Sequence, residues 1–401
     1  MMKQLTRILI LFVVILFLAG CWGKKELNEL AIVAALGIDK TEAGYEISIQ
    51  KIIPTEVAGT SKTAKSPVVV YTAEGESVLK AIRKLTTTMS RKGFFAHMYV
   101  LVYGEEMARD GIAETVDLMI RDAEVRGNVQ VFVAKDMKAK DILAVLTHAE
   151  TIPGSKIEKI AANIEANWAS ARVVTVFELL NTIVAKGNSS TVAGVVITGD
   201  PKKGAKTENI QTTNPDAVLE LKDVAVFKHD QLIGWLDETH SRGLNHITGD
   251  VSSTILSEMC DEEGTYTIEV SKTSSKMKVK IQSKKPTITV SHTVKANIGE
   301  MGCSLDLSKP KNIDKLEKIF EKKIKNQMTE TVQYLQTELK VDVFGFGEAI
   351  HRQEPTLWKT LKEDWNNHFT ELEVKYDVKV DIERPGVTKD ELIKDMKPSK
   401  K

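Results

Sequence analysis

Among the side chains of this 401-residue chain that can do chemistry, the cysteines and histidines are few enough to weigh singly. The three cysteines are Cys21, Cys260 and Cys303, and the eight histidines run from His97 to His368 without HxH or HExxH spacing. His240 and His246 sit close together near Asp237, Glu238 and Asp250, so a metal there needs a loop to converge them; exposed loop residues are the plainer reading. No nucleophile elbow, phosphate-binding P-loop or dinucleotide fingerprint occurs, and Gly345 and Gly347 follow a helical pattern where a fingerprint follows a strand. Asp261, Glu262 and Glu263 before Gly264 read as an acidic turn, not as spaced catalytic carboxylates. Trp358, Leu361, Trp365 and Phe369 fall on one helical face, which predicts core packing, with a sugar-stacking platform as the other reading. Cys260 and Cys303 can bridge in an oxidising compartment, but their spacing fixes no distance between them. These patterns predict no enzyme, no cofactor and no metal.

Cys21 differs because of what precedes it. Residues 1–7 carry Lys3 and Arg7 and no acid, and residues 8–18 (ILILFVVILFL) hold no polar side chain. As a helix that run covers about 16 Å, roughly half of the ~30 Å a membrane span must cross, so it reads as an export signal. Leu18, Ala19, Gly20 and Cys21 then resemble the bacterial lipobox: small residues let an extended backbone enter a peptidase groove, and the Cys21 thiol accepts a diacylglyceryl group. Cleavage is expected between Gly20 and Cys21, leaving covalent lipid on Cys21 as the one attached group. Two acyl chains anchor stably where one binds marginally. Loss of residues 1–20 removes two basic residues and no acid, moving the net charge from +0 to −2.

The elements that must carry these residues follow from hydrophobic period. Lys+Arg and Asp+Glu both number 55 and apolar residues make up 42%, a globular composition with no basic excess to neutralise nucleic-acid phosphates. Residues 30–38 and 45–53 read as a hairpin, Ser77 as the N-cap of a helix reaching Met89, and 97–103, 128–134 and 191–198 as strands among helices at 112–120, 141–146, 157–168 and 176–184. Residues 199–217, rich in Lys, Gly, Pro and Thr, read as a linker. Beyond it come paired strands at 217–227 and 231–236, a meander at 266–270, 276–281 and 287–295, a long helix at 313–339, a short helix at 355–369 and a strand at 373–382. The expectation is an α+β protein with mixed or antiparallel sheets flanked by helices: signal 1–20, an N-terminal domain 21–198 open to subdivision near 150, linker 199–217, a C-terminal domain 218–384, and a tail 385–401.

Several phrases, in this order behind the lipobox, resemble one family across nearly the whole chain. They are Cys21, Trp22 and Gly23 with Glu26 and Leu27; Leu36 to Asp39 (LGID); Gly104, Glu105 and Glu106 with Ala108 and Gly111; Arg121, Asp122 and Arg126; Val226, Phe227 and Lys228 with Gly234, Trp235 and Leu236; and the FGFG of 344–347 ahead of Trp358 and Trp365. The chain is similar to the C-subunit lipoproteins of bacterial spore germinant receptors, the GerABKC or Ger(x)C family, departing at Gly23, where many relatives carry an acid. The resemblance implies a lipid-anchored protein on the outer face of the spore inner membrane. It would act as a binding or scaffold component with an integral membrane A subunit and a transporter-like B subunit in nutrient-triggered germination. Arg121, Asp122, Glu124 and Arg126 then read either as an ion-paired helix end or as a partner-contact patch. The competing function is a solute-binding lipoprotein that delivers a small ligand to a permease, with residues 199–215 as its hinge. An envelope hydrolase would need paired titratable groups that no spacing here supplies.

Overall fold

The apolar run LAIVAALGI is buried on nearly every residue, as a strand inside a sheet covered on both faces requires. It lies in β1 (Leu30–Thr41). The structure, a computed structural model, describes residues 4–5, 29–58, 65–260, 264–282, 285–303 and 305–384. Cys21, the phrase from Trp22 to Leu27, nearly all of the export segment, the acidic turn 261–263 and the tail 385–401 lie outside the described residues.

The first sheet contains β1, β2 (Gly44–Ile52), β3 (Val68–Gly75), β4 (Lys92–Phe94), β5 (Val100–Gly104), β6 (Gln130–Ala134), β7 (Val174–Thr175), β8 (Thr191–Gly199), β9 (Ala217–Lys228) and β10 (Gln231–Leu236). Its order is β10-β9-β8-β6-β5-β1-β2-β3, with β4 on β1 and β7 on β6. β1, β5, β6 and β8 are mutually parallel, while antiparallel pairs extend the sheet on both sides. The second sheet is β11 (Thr254–Met259), β12 (Thr265–Gln282), β13 (Lys285–Met301) and β14 (Glu373–Arg384), the last pair parallel. The principal helices are α1 (Val78–Lys84), α2 (Glu105–Asp110), α3 (Ala113–Arg121), α4 (Ala139–Ala144), α5 (Pro153–Asn167), α6 (Val176–Ile183), α7 (Glu238–Thr248), α8 (Pro310–Tyr334), α9 (Phe346–Gln353), α10 (Pro355–Leu361) and α11 (Trp365–Thr370). The α+β class is as expected.

Ser77 does cap α1, accepting from Lys80 N at 3.2 Å. Three expectations differ from the structure. β12 is one strand across 271–275, because Ser271, Thr273 and Ser275 give their hydroxyls to Lys295, Val251 and Ile247 carbonyls instead of turning. The helix expected over 355–369 breaks into α10 and α11 around a 3₁₀ turn at Lys362–Asp364. Residues 199–217 are packed: Asp200 caps the short helix Pro201–Gly204, and buried Asn209 bonds Leu146 O, Ala217 O and Ala217 N at 2.9–3.0 Å. β9 then pairs with β8, so the first sheet runs on past this segment.

One face of the first sheet packs on α1, α2, α3 and α6. The other belongs to a larger apolar cluster that passes from Ala35 and Phe132 through Leu244 of α7 to Phe320 of α8 and Val290 of the second sheet. Inside it His246 Nδ1 and His292 Nε2 stand 3.0 Å apart, sharing one proton. Burial pushes both imidazoles down, His292 to about 4, and His292 and Arg242 push His246 further. Such groups give stability that is fully present above pH 6.5 and lost as pH falls. Asp39 and Asp342, raised to about 6 by burial, act in the opposite sense. The test is therefore a difference: the stability gap between wild type and His292→Gln, followed by urea unfolding, should shrink by about 3 kcal/mol between pH 7 and pH 4. A gap independent of pH excludes this account.

Candidate functional site

The short phrases scattered along the sequence meet in two places. The first is at the carboxyl ends of β1, β5 and β6, where open α/β sheets commonly hold ligands. Asp39 ends the apolar run of β1, and its carboxylate accepts from Ala139 N at 2.7 Å and Lys140 N at 3.0 Å, fixing the start of α4. Burial raises Asp39 to about 6 despite those two donors. Gly104 is required beside it, because a Cβ there would overlap Asp39 Oδ1. Next in sequence, Glu105 accepts from Arg109 Nη2 at 2.6 Å, Asp136 N at 2.6 Å and Trp235 Nε1 at 3.3 Å. Burial pushes Glu105 up, but these donors prevail and hold it below the usual carboxylate range. Lys135 Nζ lies 5.3 Å from the centre of the Trp235 ring and 2.5 Å from Asp223 Oδ2. A polar cavity of about 590 Å³ opens here, yet Asp39 and Glu105 spend their oxygens on backbone and side-chain donors.

The second meeting place is the FGFG turn. Asp342 is buried and accepts from Phe344 N, Gly345 N, Gly347 N and Trp365 Nε1 at 2.8–3.1 Å. Burial raises it to about 6 against the pull of these donors. Gly345 has φ of 75°, the left-handed turn that glycine adopts without strain. Gly347 packs against Gly187 so closely that a Cβ on either would strike the other loop's backbone. Ser189 N to Asp342 O at 2.7 Å and Glu348 N to Gly187 O at 3.2 Å complete the junction between the approach to β8 and the start of α9.

The tryptophan stripe belongs to this junction. Trp358, Leu361, Trp365 and Phe369 are buried, with the indoles edge to face at 5.3 Å, so they are core and not a sugar platform. His240 and His246 do not converge: His240 bonds Asp237 and lies on Tyr334, whereas His246 faces His292. Among the described residues no three His, Cys, Asp or Glu side chains stand as a metal-holding group. Cys260 and Cys303, left open by the sequence, form a disulfide with Cα atoms 6.6 Å apart near the ends of β11 and β13. Arg121 pairs with Asp117 at 2.5 Å, Asp122 accepts from Glu124 N at 2.8 Å, Glu124 pairs with Lys92 at 3.3 Å, and Arg126 is exposed. These four residues line an exposed helix end without forming one charge cluster.

Asp342 and Gln50 were missed by sequence reasoning. Gln50 bonds Leu143 O at 2.7 Å and Gly154 N at 3.0 Å, tying β2 to α4 and α5. An aspartate two residues before Phe-Gly is the one available signal, since such a side chain bonds the backbone N–H two or three residues on.

What this geometry defines is a two-sheet α+β protein whose distinctive residues are spent on holding loops together. Its family is shown by comparison. Residues 23–197 match the family described as spore germination protein N-terminal domain, and residues 222–386 match the spore germination B3/GerAC-like C-terminal family. The chain is 32% identical over 395 residues to spore germination protein KC of Bacillus subtilis (strain 168), covering 96% of each. It is 22% identical to spore germination protein B3 of the same organism, covering 95% of this chain and 98% of that one. A crystal structure of the GerBC protein shares the fold at 19% identity, with a TM-score of 0.52 over 87% of this chain and 96% of that one. The chain thus belongs to the GerAC-like spore germination family, the C subunits of germinant receptors.

If the Asp342 junction holds the C-terminal helices in place, Asp342→Asn turns an acceptor into a donor facing N–H groups and should cost about 3 kcal/mol. Trp365→Phe removes one of four donors and should cost about 1 kcal/mol. Urea unfolding measures both; equal costs for the two variants would mean that the carboxylate is not the hub.

Proposed function

We propose that this chain is a lipid-anchored subunit of a nutrient germinant receptor, held to the outer face of the spore inner membrane through a diacylated Cys21. It acts as a binding or scaffold component beside integral membrane A and B subunits. The observation that carries this reading is the sequence Leu18-Ala19-Gly20-Cys21 directly behind an apolar run too short to span, in a chain of the spore germination family. Among the described residues no helix is long and apolar enough to cross a membrane. Few residues separate Cys21 from β1, which brings the first sheet near the bilayer. Confinement of that kind raises the effective concentration toward membrane partners to the order of mM, where weak interfaces suffice.

The solute-binding alternative needs a hinge at 199–215. That segment is pinned by Asn209 and bridged by the β8–β9 pairing, which favours a rigid subunit.

Cys21→Ala should move the protein out of the spore membrane fraction and abolish the nutrient response of its receptor, and mass spectrometry of the native protein should find diacylglycerol on residue 21. Membrane retention with an intact response would sink the anchor. For the exposed helix end, Arg121→Glu should weaken co-purification with the membrane partners while leaving the melting temperature unchanged. A lowered melting temperature with co-purification intact would return Arg121 to a purely structural ion pair.

A further inference from the structure

The strand order gathers several loops around the start of β1, the end of the first sheet nearest Cys21. β4 pairs parallel with β1, Leu30 opposite Lys92, and β5 and β6 run the same way, so the amino ends of these strands lie together. β2 ends and β3 begins at the same end, with Ile52 opposite Val68. A cavity of about 240 Å³ there brings Arg83 of α1, Arg91 and Lys92 at β4, and Asp122 and Glu124 after α3 around one opening. Cys21 lies nine residues before Leu30, a reach of at most about 30 Å.

The two ends of this part of the sheet carry opposite surplus charge. At the end near Cys21, Lys92 pairs with Glu124 and Arg121 with Asp117. Lys51, Lys65, Arg83, Lys84, Arg91 and Arg126 have no carboxylate partner among the described residues, and all but Lys51 are exposed. Against them stand three acids without a cation partner among the described residues, Glu29, Glu56 and Asp122. The other end lies about 40 Å away along β1. There Lys40, Lys80, Arg109 and Lys135 pair with Asp110, Glu76, Glu105 and Asp223, and Lys138 and Lys140 both pair with Glu46. Exposed Glu42, Glu74, Glu106 and Asp136 are left there without a cation partner among the described residues.

Apolar side chains are exposed among the unpaired cations. Phe177, 57% exposed, gives its N–H to Gly127 O beside Arg126. Ile120, 37% exposed, precedes Arg121, and Val57, 40% exposed, ends the short helix that follows β2. Cations interleaved with apolar tips suit the boundary between headgroups and acyl chains, where each cation adds about fivefold to partitioning on an anionic bilayer. The exposed cations come from four separate segments, at residues 65, 83–84, 91 and 126, so they form an array spread over a face. Such an array matches a plane of headgroups better than a single acidic segment of a protein. Acids at the far end strengthen the match, because an anionic surface that attracts one end repels the other.

We propose that this end of the first sheet is a membrane-apposed face, which rests on the headgroups of anionic phospholipids and holds the subunit upright on its anchor. Arg83, Lys84, Arg91 and Arg126 meet lipid phosphates, and Val57, Ile120 and Phe177 lie at the headgroup boundary. The proposal rests on the anchored-subunit reading, since the anchor is what keeps a bilayer within reach of this face.

The test uses the lipidated full chain on vesicles, with a donor dye on an introduced thiol and an acceptor on a trace headgroup-labelled lipid. Cys21 is acylated in this reading and Cys260 is bridged to Cys303, so Ser90→Cys at this face and Ala43→Cys at the far end each give a single site for the dye. Energy transfer from position 90 should rise at least twofold when about a third of the phosphatidylcholine is replaced by phosphatidylglycerol, and transfer from position 43 should not rise. The rise should vanish at about 1 M salt, where the Debye length falls to about 3 Å. It should also vanish in Arg83→Glu/Lys84→Glu/Arg91→Glu protein of unchanged melting temperature. Transfer from position 90 that ignores phosphatidylglycerol would overturn the proposal and leave the cations to an acidic protein surface; an equal rise at position 43 would overturn it as well. Flotation with pure phosphatidylcholine vesicles reads the anchor alone: a chain that does not float refutes the anchored reading, whereas a chain that floats without the effect at position 90 refutes this face only.

Discussion

The antiparallel pairing of β8 with β9 joins the two halves of the chain, and most of the remaining structure depends on it. Because Thr191–Gly199 accepts Ala217–Lys228 as a neighbour, β10 follows on the same sheet and places Trp235 against Glu105 and Lys135. Asp237 then starts α7, whose buried face supplies Leu244, Ile247 and His246 to the core shared with the second sheet. Were β9 to lie in a separate layer, that core would divide, and both parts would have to bury their apolar faces alone.

On this frame the protein uses buried acceptors where apolar contact alone would leave loop backbone unpaired. Asp39, Glu105, Gln50 and Asn209 each bind main-chain groups of a segment distant in sequence, and Asp342 binds the turn that follows it together with the Trp365 indole. A buried acceptor that meets N–H donors meets the cost of its own desolvation and also satisfies loop backbone that has no ladder to join. The glycines beside these hubs follow from the same closeness: Gly104 gives room to Asp39, and Gly347 and Gly187 let two loops touch backbone to backbone. Residues of this kind look like scattered polar and small residues in sequence, yet any one of them constrains two elements.

That explains which parts of the fold were legible from sequence. The hairpin of β1 and β2, the Ser77 cap and the apolar stripe of α8 were readable because local period and a single side chain determine them. The tryptophan stripe was rightly read as core, though the 3₁₀ break between α10 and α11 was not legible, since the apolar period of Trp358, Leu361, Trp365 and Phe369 continues across it. The packing of 199–217 was invisible because one side chain, Asn209, substitutes for a whole hydrophobic face. The contact of Asp39 with α4 spans 100 residues and leaves no periodic trace. The family phrases were legible as phrases, but their convergence is made by the fold.

A body built this way suits a tethered component better than a mobile carrier. The approach to β8 is bonded to the Asp342 turn through Ser189 N and Glu348 N, and motion of the halves would break these bonds and expose the core that the two sheets share. Rigid bodies bind by presenting preformed features, and they lose little conformational freedom when they do so. Confinement at a membrane would remove much of the remaining translational cost, so a modest interface such as one exposed helix end would suffice.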